Sequence, residues 1–127
     1  MNDQAIEQEI QAKGLTAPRV TPADIEANIA GELYFTGLDA ATEVEFGLEE
    51  DAFIIKDDVA IPMVTKALGL LTFCVLVLRN GFTVTGESAC TSPENFDAEL
   101  GRKIARQNAV DKMWPLMGYE LKCRLAK

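Results

Sequence analysis

The sequence contains no histidine and only three cysteines, which are widely spaced and form no Cys-x-x-Cys pair: Cys74, Cys90 and Cys123. The common zinc sites and every histidine-dependent triad or acid–base pair are therefore excluded. An odd number of scattered cysteines is typical of reduced thiols in a cytosolic setting rather than of a disulfide framework. We expect no metal site, no cofactor and no catalytic residue.

Long apolar runs are also missing. The longest extends from Ala67 to Leu78, and its 12 residues are too few to cross a bilayer as a helix. The first residues lack the positive region followed by an apolar stretch that marks a signal peptide. These two absences predict a soluble protein with no membrane contact.

Positive charge is scarce, because 12 lysines and arginines stand against 20 acidic residues, giving a net charge of −8. A general nucleic-acid binder would need a basic surface, so that function class is disfavoured. The charge is uneven: residues 1–91 contain 15 acids and 5 bases, whereas residues 92–127 contain 5 acids and 7 bases. We therefore expect any anionic ligand to contact the C-terminal third.

The stretch from Leu71 to Ser88 predicts a β-hairpin. Two β-rich runs flank Asn80-Gly81, a dipeptide that favours a two-residue type I′ turn. Such a turn would place Arg79 opposite Phe82. Side-chain alternation would then put Val84 on one face with Phe73, Val75 and Val77, and Thr83, Thr85 and Glu87 on the other face opposite Cys74, Leu76 and Leu78.

The first strand of this hairpin is apolar on both faces. Such a strand is normally covered on both sides, so we expect a helix on one face and another strand layer or a second subunit on the other. This feature predicts a homo-oligomer. The polar residues Thr83, Thr85 and Glu87 are interpreted either as a solvated strand face or as the polar wall of a binding cleft.

An amphipathic helix is predicted from Glu94 to about Lys112, with Ser92 as its N-cap and Pro93 at its first position. Trp114-Pro115 is expected to end or kink it. Its apolar positions recur at four-residue spacing, small residues beside them would permit close packing, and three basic residues with a glutamine fall on the other side. These three sets are Phe96, Leu100 and Ile104; Gly101, Ala105 and Ala109; and Arg102, Lys103, Arg106 and Gln107.

The rest of the chain divides into an N-terminal helical arm (1–37) and an acidic extension (38–70) ahead of the hairpin–helix core (71–127), all within a single domain. The arm is predicted to form a helix over 3–13, stopped by Gly14, and a second helix from Thr21-Pro22 through Ile25, Ile29 and Leu33. Within the acidic extension we expect residues 38–58 to form a loop or short strand region, with the strand near 53–55, followed by a short helix over 59–70, and we expect no metal site.

The last eleven residues fit two patterns, because apolar residues alternate as in a strand and also recur every four residues as in a helix. The four-residue stripe continues from the preceding element, which favours a helix. The fold class is therefore predicted as α+β: a β-hairpin or small antiparallel sheet followed by a packed amphipathic helix, with short N-terminal helices.

Several motifs resemble the phage "gene product 49/66" family of small tailed-phage proteins. They are Leu78-Arg79-Asn80-Gly81-Phe82, Gly86-Glu87-Ser88-Ala89, Pro93-x-Asn95-Phe96-Asp97, Gly101-x-Lys103-Ile104-Ala105, Trp114-Pro115-Leu116-x-Gly118-Tyr119, and the N-terminal Val20-Thr21-Pro22. The resemblance covers about two thirds of the chain, and segment 38–66 is interpreted as an extension beyond the family pattern. It implies a phage accessory protein of the host bacterial cytoplasm, and it brings no catalytic residues with it.

The first functional hypothesis is a non-catalytic binder that counters host defence by sequestering a small nucleotide-like ligand. This hypothesis rests on analogy with other small phage proteins. Polar strand residues and a helix N-terminus would hold the ligand, arginines would bind phosphates, and an aromatic ring would stack on a base. The residues proposed to bind it are Thr83, Thr85, Ser88, Asn95, Arg102, Arg106, Trp114 and Tyr119.

Two other hypotheses stay open. The acidic surface or the doubly apolar hairpin could form an interaction module that inhibits or recruits a host protein. An enzyme without histidine would need carboxylates, cysteine, lysine or a bound metal, and the compact acid group considered for it lies around the strand-to-helix turn: Glu87, Glu94 and Asp97. A capped helix and a loop carboxylate explain that group equally well, so we expect no enzyme. A structural role in the virion is disfavoured because the sequence has no repeat or fibre-like segment.

Overall fold

A computed structural model describes residues 2–46 and 52–127 as an α+β protein, which confirms the predicted fold class. A three-stranded antiparallel sheet packs against a long C-terminal helix, and short helices lie at the N-terminus. In chain order the elements are α1 (Asp3–Ala12), α2 (Pro22–Ala27), β1 (Ile29–Thr36), α3 (Gly37–Phe46), α4 (Ile61–Gly69), β2 (Leu71–Leu78), β3 (Thr83–Ala89), a 3-10 turn (Pro93–Asn95) and α5 (Ala98–Leu125).

The central strand is β2, which pairs antiparallel with β1 on one side and with β3 on the other.

The prediction of two N-terminal helices is confirmed for α1 and α2. It is wrong beyond Ala27, because the segment from Ile29 forms β1. The four-residue spacing of Ile25, Ile29 and Leu33 suited a helix, but backbone pairing of Leu33 with Val75 overrides that weak local preference.

The predicted register of the β2–β3 hairpin is wrong by one residue. The Leu78 N–H donates to the Phe82 carbonyl and the Gly81 N–H donates to the Leu78 carbonyl, so the loop has three residues rather than two. Gly81 has φ +88°, which is the left-handed position that such three-residue loops require. As a result Leu76 faces Val84 and Val75 faces Thr85.

This shift exchanges the two faces of β3. Val84 joins Cys74, Leu76 and Leu78 on the face that packs against α5, where all four side chains are buried. Thr83, Thr85 and Glu87 lie with Phe73, Val75 and Val77 on the other face of the sheet. We call this second surface the open face; it also carries Leu33 and Phe35 of β1.

Helix α5 begins later and ends later than predicted. Its N-cap is Asp97, whose carboxylate accepts from the Leu100 N–H at 3.0 Å, whereas Ser92 precedes only the 3-10 turn. The extended backbone of Phe96 separates the two elements. The helix is not ended by Pro115 and continues to Leu125, which confirms the helical interpretation of the tail.

The acidic extension is more helical than predicted. Helix α3 occupies a region for which a loop or short strand was expected, and residues 53–55 form no strand. The start of α3 is fixed by a reciprocal pair of hydrogen bonds between Thr36 and Asp39, each side chain accepting from the backbone N–H of the other. The short helix expected over 59–70 is confirmed as α4. Residues 47–51 of the acidic extension, which include Glu49, Glu50 and Asp51, lie outside the described residues.

Helix α5 contacts the sheet through its small residues and not through the predicted apolar stripe. Ala105 and Ala109 are fully buried, whereas Leu100 and Ile104 are 53% and 44% exposed. The reason is the close approach of α5 to Gly86, where an added Cβ would overlap the carbonyl oxygen of Ala105 and the amide nitrogen of Ala109. At this distance only small residues fit between the two backbones.

Replacing Gly86 with alanine should therefore force α5 away from β3. Because both clashing atoms belong to the backbone, we expect a loss of about 1–3 kcal/mol or more in the free energy of unfolding, measured by urea denaturation. The control is Gly118→Ala. Gly118 lies in α5, the helix that packs on Gly86, and no atom lies near the position of its added Cβ. That variant should gain about 0.5–1 kcal/mol. Equal stability of the two variants would contradict the close packing at Gly86.

Candidate functional site

The eight residues predicted to bind a ligand are distributed over separate parts of the described structure. Thr83 and Thr85 are exposed on the open face, Ser88 and Asn95 border a cavity at the end of β3, and Arg106 and Trp114 border a cavity beneath α1. Arg102 and Tyr119 are exposed at other positions on α5. The structure therefore brings the predicted residues together in two pairs and not in one site.

Arg106 links three elements through two carboxylates. Its terminal nitrogens donate to Glu26 of α2 at 3.0 and 2.7 Å, and its Nε donates to Glu32 of β1 at 2.9 Å. The Tyr34 hydroxyl donates to the same Glu32 carboxylate at 2.6 Å. All three donor groups of the guanidinium are thus used within the chain, and the arrangement ties α5 to α2 and to the sheet.

The pKa shifts in this group follow from these contacts. Hydrogen bonds from Arg106, and next from Tyr34, lower the pKa of the Glu32 carboxyl. Burial, and next the hydrogen bond to Glu32, raise the pKa of the Tyr34 hydroxyl. Hydrogen bonds to Glu26 and Glu32 raise the pKa of Arg106. Each group is therefore held in its ordinary charge state at neutral pH, which suits a structural contact better than proton transfer.

Two cavities lie beneath α1, with volumes of about 370 and 250 Å³, and Trp114 borders both. The Trp114 Nε1–H donates to the Asp3 carboxylate at 3.3 Å. Further along α1, Glu7 accepts two hydrogen bonds from the Arg19 guanidinium at 2.5 and 2.8 Å. No residue of α1 is buried. These polar contacts therefore hold α1 over the tryptophan.

A smaller cavity of about 130 Å³ lies where β3 leads into α5, and we call it the β3-end cavity. Ser88 and Asn95 contribute polar side chains to its wall, and Thr72 lies buried at its base. Apolar side chains of Phe96, Leu100 and Ile104 complete it. Two of the predicted ligand residues are thus adjacent to exposed apolar surface.

The carboxylate of Asp97 also borders the β3-end cavity. It accepts the N–H of Leu100 at the start of α5, so the helix N-terminus that was expected to receive an anion already has an internal acceptor. Glu87 lies on the open face, on the opposite side of the sheet from α5. The three-carboxylate group considered for an enzyme is therefore divided between a helix cap and separate surfaces.

The thiols offer no assembled nucleophile in the described part of the chain. Cys74 is fully buried in the core beneath α5, and this burial raises the pKa of its thiol. Cys90 is half-buried, and its Sγ–H donates to the Ser92 carbonyl. Cys123 is exposed near the end of α5. Within residues 2–46 and 52–127, no three Cys, Asp or Glu side chains are grouped to hold a metal ion.

A further cavity is lined by residues that no sequence pattern groups together. Three arginines from distant parts of the chain, Arg19, Arg79 and Arg124, border a space of about 350 Å³ beside the C-terminal half of α5. We call it the arginine cavity. Because residues 19, 79 and 124 share no motif or local spacing, no sequence pattern could bring them together before the sheet and α5 were placed.

Comparison with known proteins gives one match. A family model described as "Phage protein (N4 Gp49/phage Sf6 gene 66) family" matches residues 20–125, which is most of the chain. No curated protein and no solved structure matches the sequence. Across the described ranges, every helix is too short or too polar to span a membrane.

Acidification should release α1 from the rest of the protein. Hydrogen bonds from Arg19, and next from Gln11, lower the pKa of Glu7 to about 2 from its ordinary 4.5. A carboxyl with a lowered pKa stabilises the folded state above its unfolded pKa and loses that contribution as the pH falls through its folded pKa. We therefore expect Trp114, the only tryptophan, to become more exposed as the pH falls from about 4.5 toward 2, measured by its fluorescence maximum.

In Arg19→Ala the pKa of Glu7 should return toward its ordinary value, so the fluorescence transition should move to higher pH. The matched control is Lys13→Ala, which removes one positive charge from an exposed pair with Glu9. Its transition should coincide with that of the wild type. A transition in Arg19→Ala that also coincides with the wild type would contradict the contact assigned to Glu7.

Proposed function

The chain belongs to the phage protein (N4 Gp49/phage Sf6 gene 66) family, and from this premise we propose that it counters host defence by binding a small nucleotide-like ligand without converting it. A protein that sequesters a signal molecule must bind it tightly and be present in at least an equal amount. It needs no catalytic group. The premise of a phage protein rests on the family match. The ligand and its role are our proposal.

The observation that carries the proposal is the β3-end cavity. A hydroxyl from Ser88 and an amide from Asn95 stand beside the apolar side chains of Phe96, Leu100 and Ile104. Small-molecule sites combine a mostly apolar wall with a few polar groups that fix orientation. This combination suits a heterocyclic base or a ribose. Each of these groups has a face that can pack on apolar side chains and polar atoms that can form hydrogen bonds.

The electrostatics of this cavity orient the ligand. The Asp97 carboxylate at its wall would repel a phosphate, so the neutral part of the ligand faces Asp97. The exposed Arg102 and Lys103 lie between two lining residues, Gly101 and Ile104, and they offer positive charge close to the cavity along the helix. We therefore place the base or sugar inside the cavity and the phosphate outside it.

The size of the cavity implies that a second surface completes the site. Its volume of about 130 Å³ lies below the roughly 300–1,000 Å³ typical of ligand pockets. Leu100 and Ile104 remain 53% and 44% exposed beside it. A second copy of the chain that covers these two side chains would enclose the rest of the ligand, which is consistent with the homo-oligomer expected from the sequence.

Binding without conversion is supported by the roles of the ionisable groups. Arg106, Glu32 and Tyr34, whose pKa values are shifted, contact one another and hold elements together. The thiol of Cys74 is enclosed in the core. These four groups lie outside the β3-end cavity, and the two ionisable groups that line it are engaged locally, because Cys90 donates to the Ser92 carbonyl and Asp97 accepts the Leu100 N–H.

A second candidate function is an interaction module for a host protein, and the open face favours it. Leu33 and Val77 are 57% and 38% exposed there, and the rings of Phe35 and Phe73 stack at 5.2 Å on the same surface. Apolar residues grouped on one exposed face are typical of contact surfaces. A host polypeptide recovered in a fixed ratio with the protein, and lost in Leu33→Asp, would favour this function over ligand binding.

Ser88→Ala and Asn95→Ala should weaken ligand binding without unfolding the protein. Each change removes one hydrogen-bonding side chain from the wall of the cavity, so we expect about a tenfold loss of affinity for each. The measurement is isothermal titration calorimetry against a panel of linear and cyclic nucleotides. Circular dichroism checks that each variant is folded.

The control is Gln8→Ala, an exposed polar residue of α1 outside this cavity, and its affinity should match that of the wild type. A panel in which no nucleotide binds the wild type would contradict the proposed function. Equal affinity of the wild type and both cavity variants would contradict the proposed site.

A further inference from the structure

We propose that the arginine cavity is a second binding site, which takes an organic phosphate. It lies outside the β3-end cavity, and no residue borders both. This inference is independent of the ligand proposed above, because it rests on different residues.

Three elements place the arginines around one space. Arg19 precedes α2, Arg79 lies in the β2–β3 loop and Arg124 lies in the last turn of α5. The loop is fixed to α2, because the Arg79 N–H donates to the Asn28 carbonyl at 2.9 Å. Asn28 in turn donates from its side chain to the sulfur of Met117 in α5 at 3.6 Å. Hydrogen bonds therefore connect the β2–β3 loop, the end of α2 and α5, which together form walls of the cavity.

The arginines retain donors for a ligand. Arg79 uses its Nε on the Ala27 carbonyl at 3.2 Å, and Arg124 uses its Nε on Glu120 at 2.7 Å. The terminal nitrogens of both guanidinium groups make no hydrogen bond or ion pair with any other residue in the described ranges. A guanidinium presents such nitrogens as a fork that matches two phosphate oxygens.

The third arginine contributes charge rather than free donors. Both terminal nitrogens of Arg19 donate to Glu7, so this guanidinium is already engaged. It still adds positive potential to the wall that it shares with Arg79 and Arg124. We therefore assign the direct phosphate contacts to Arg79 and Arg124.

The charge of the cavity opposes that of the whole chain. Three arginines stand against the carboxylates of Asp24 and Glu120, an excess of one positive charge in a protein with a net charge of −8. The two cavities beneath α1 have the opposite balance, since each is lined by two carboxylates and one arginine. An anion that enters the arginine cavity therefore meets a locally favourable potential.

Part of the cavity lining is apolar and comes from Val20, Met117 and Leu121. Inorganic phosphate would use only the charged rim, whereas a phosphate attached to a ring or chain would also cover these side chains. The volume of about 350 Å³ falls in the range of small-molecule sites. The ligand class that fits both parts is an organic monophosphate of nucleotide size.

Glu120 acts as an internal competitor for the ligand. Its carboxylate holds Arg124 in the unliganded protein, in a pair whose side chains are both more than 60% exposed. Exposed pairs of this kind contribute little stability, so a phosphate can replace the carboxylate. The carboxylate of Asp24 is less available as a competitor, because it accepts the Thr21 N–H at 2.9 Å.

The experiment is a calorimetric titration of the full chain with adenosine monophosphate, adenosine and inorganic phosphate. We expect the monophosphate to bind more tightly than either of the other two probes. Arg124→Gln and Arg79→Gln should each weaken monophosphate binding about tenfold, since each removes a charged fork. Glu120→Gln should strengthen it several-fold, because it removes the competing carboxylate.

The control Lys112→Ala removes one positive charge from the same helix outside the cavity, and it should leave the affinity within about twofold of the wild type. Ser88→Ala should retain the arginine-dependent binding, which separates this site from the β3-end cavity. The proposal is overturned if the monophosphate does not bind the wild type. It is also overturned if Arg124→Gln and Lys112→Ala weaken binding equally, because binding would then follow total charge alone.

Discussion

The contact between Gly86 and the backbone of α5 is the constraint on which the rest of the structure depends. Because residue 86 has no side chain, the backbone atoms of Ala105 and Ala109 come directly against β3. This close approach buries the core between the sheet and the helix and fixes the position of α5 along the sheet. It also places Arg106 where it reaches carboxylates of both α2 and β1. One glycine therefore sets the geometry of both the core and the principal ion-pair group.

The same packing gives α5 a second role as the shared wall of both proposed sites. Its first turns border the β3-end cavity, and its last turns border the arginine cavity. The helix continues through Pro115, and without its C-terminal half Arg124 would not reach the space beside Arg79. The two sites differ in charge, with Asp97 at one and an excess of arginine at the other. Helix α5 thus borders an acidic cavity near its N-terminal end and, near its C-terminal end, the positively charged cavity that we propose as a phosphate site.

The fold class and the α1, α2 and α4 helices could be predicted from the sequence, because caps and apolar periodicity act locally. The hairpin register could not, since Asn80-Gly81 suits both a two-residue turn and the three-residue loop that is observed. The start of α3 is marked in the sequence by Thr36-x-x-Asp39, a local capping pattern, although no helix was predicted there. In the candidate site, Ser88 and Asn95 could be placed beside the same cavity from the sequence, because they are close together in the chain. The arginine cavity depends on tertiary packing, which no local signal specifies.

We propose that this phage protein works by holding a small nucleotide-like anion. The most direct measurement is native mass spectrometry of the protein purified from infected, defence-active cells, followed by analysis of small molecules released on denaturation. We expect a nucleotide-like species to be released at a fixed ratio to the protein. Protein that is recovered empty, or in a stoichiometric complex with a host polypeptide, would contradict it.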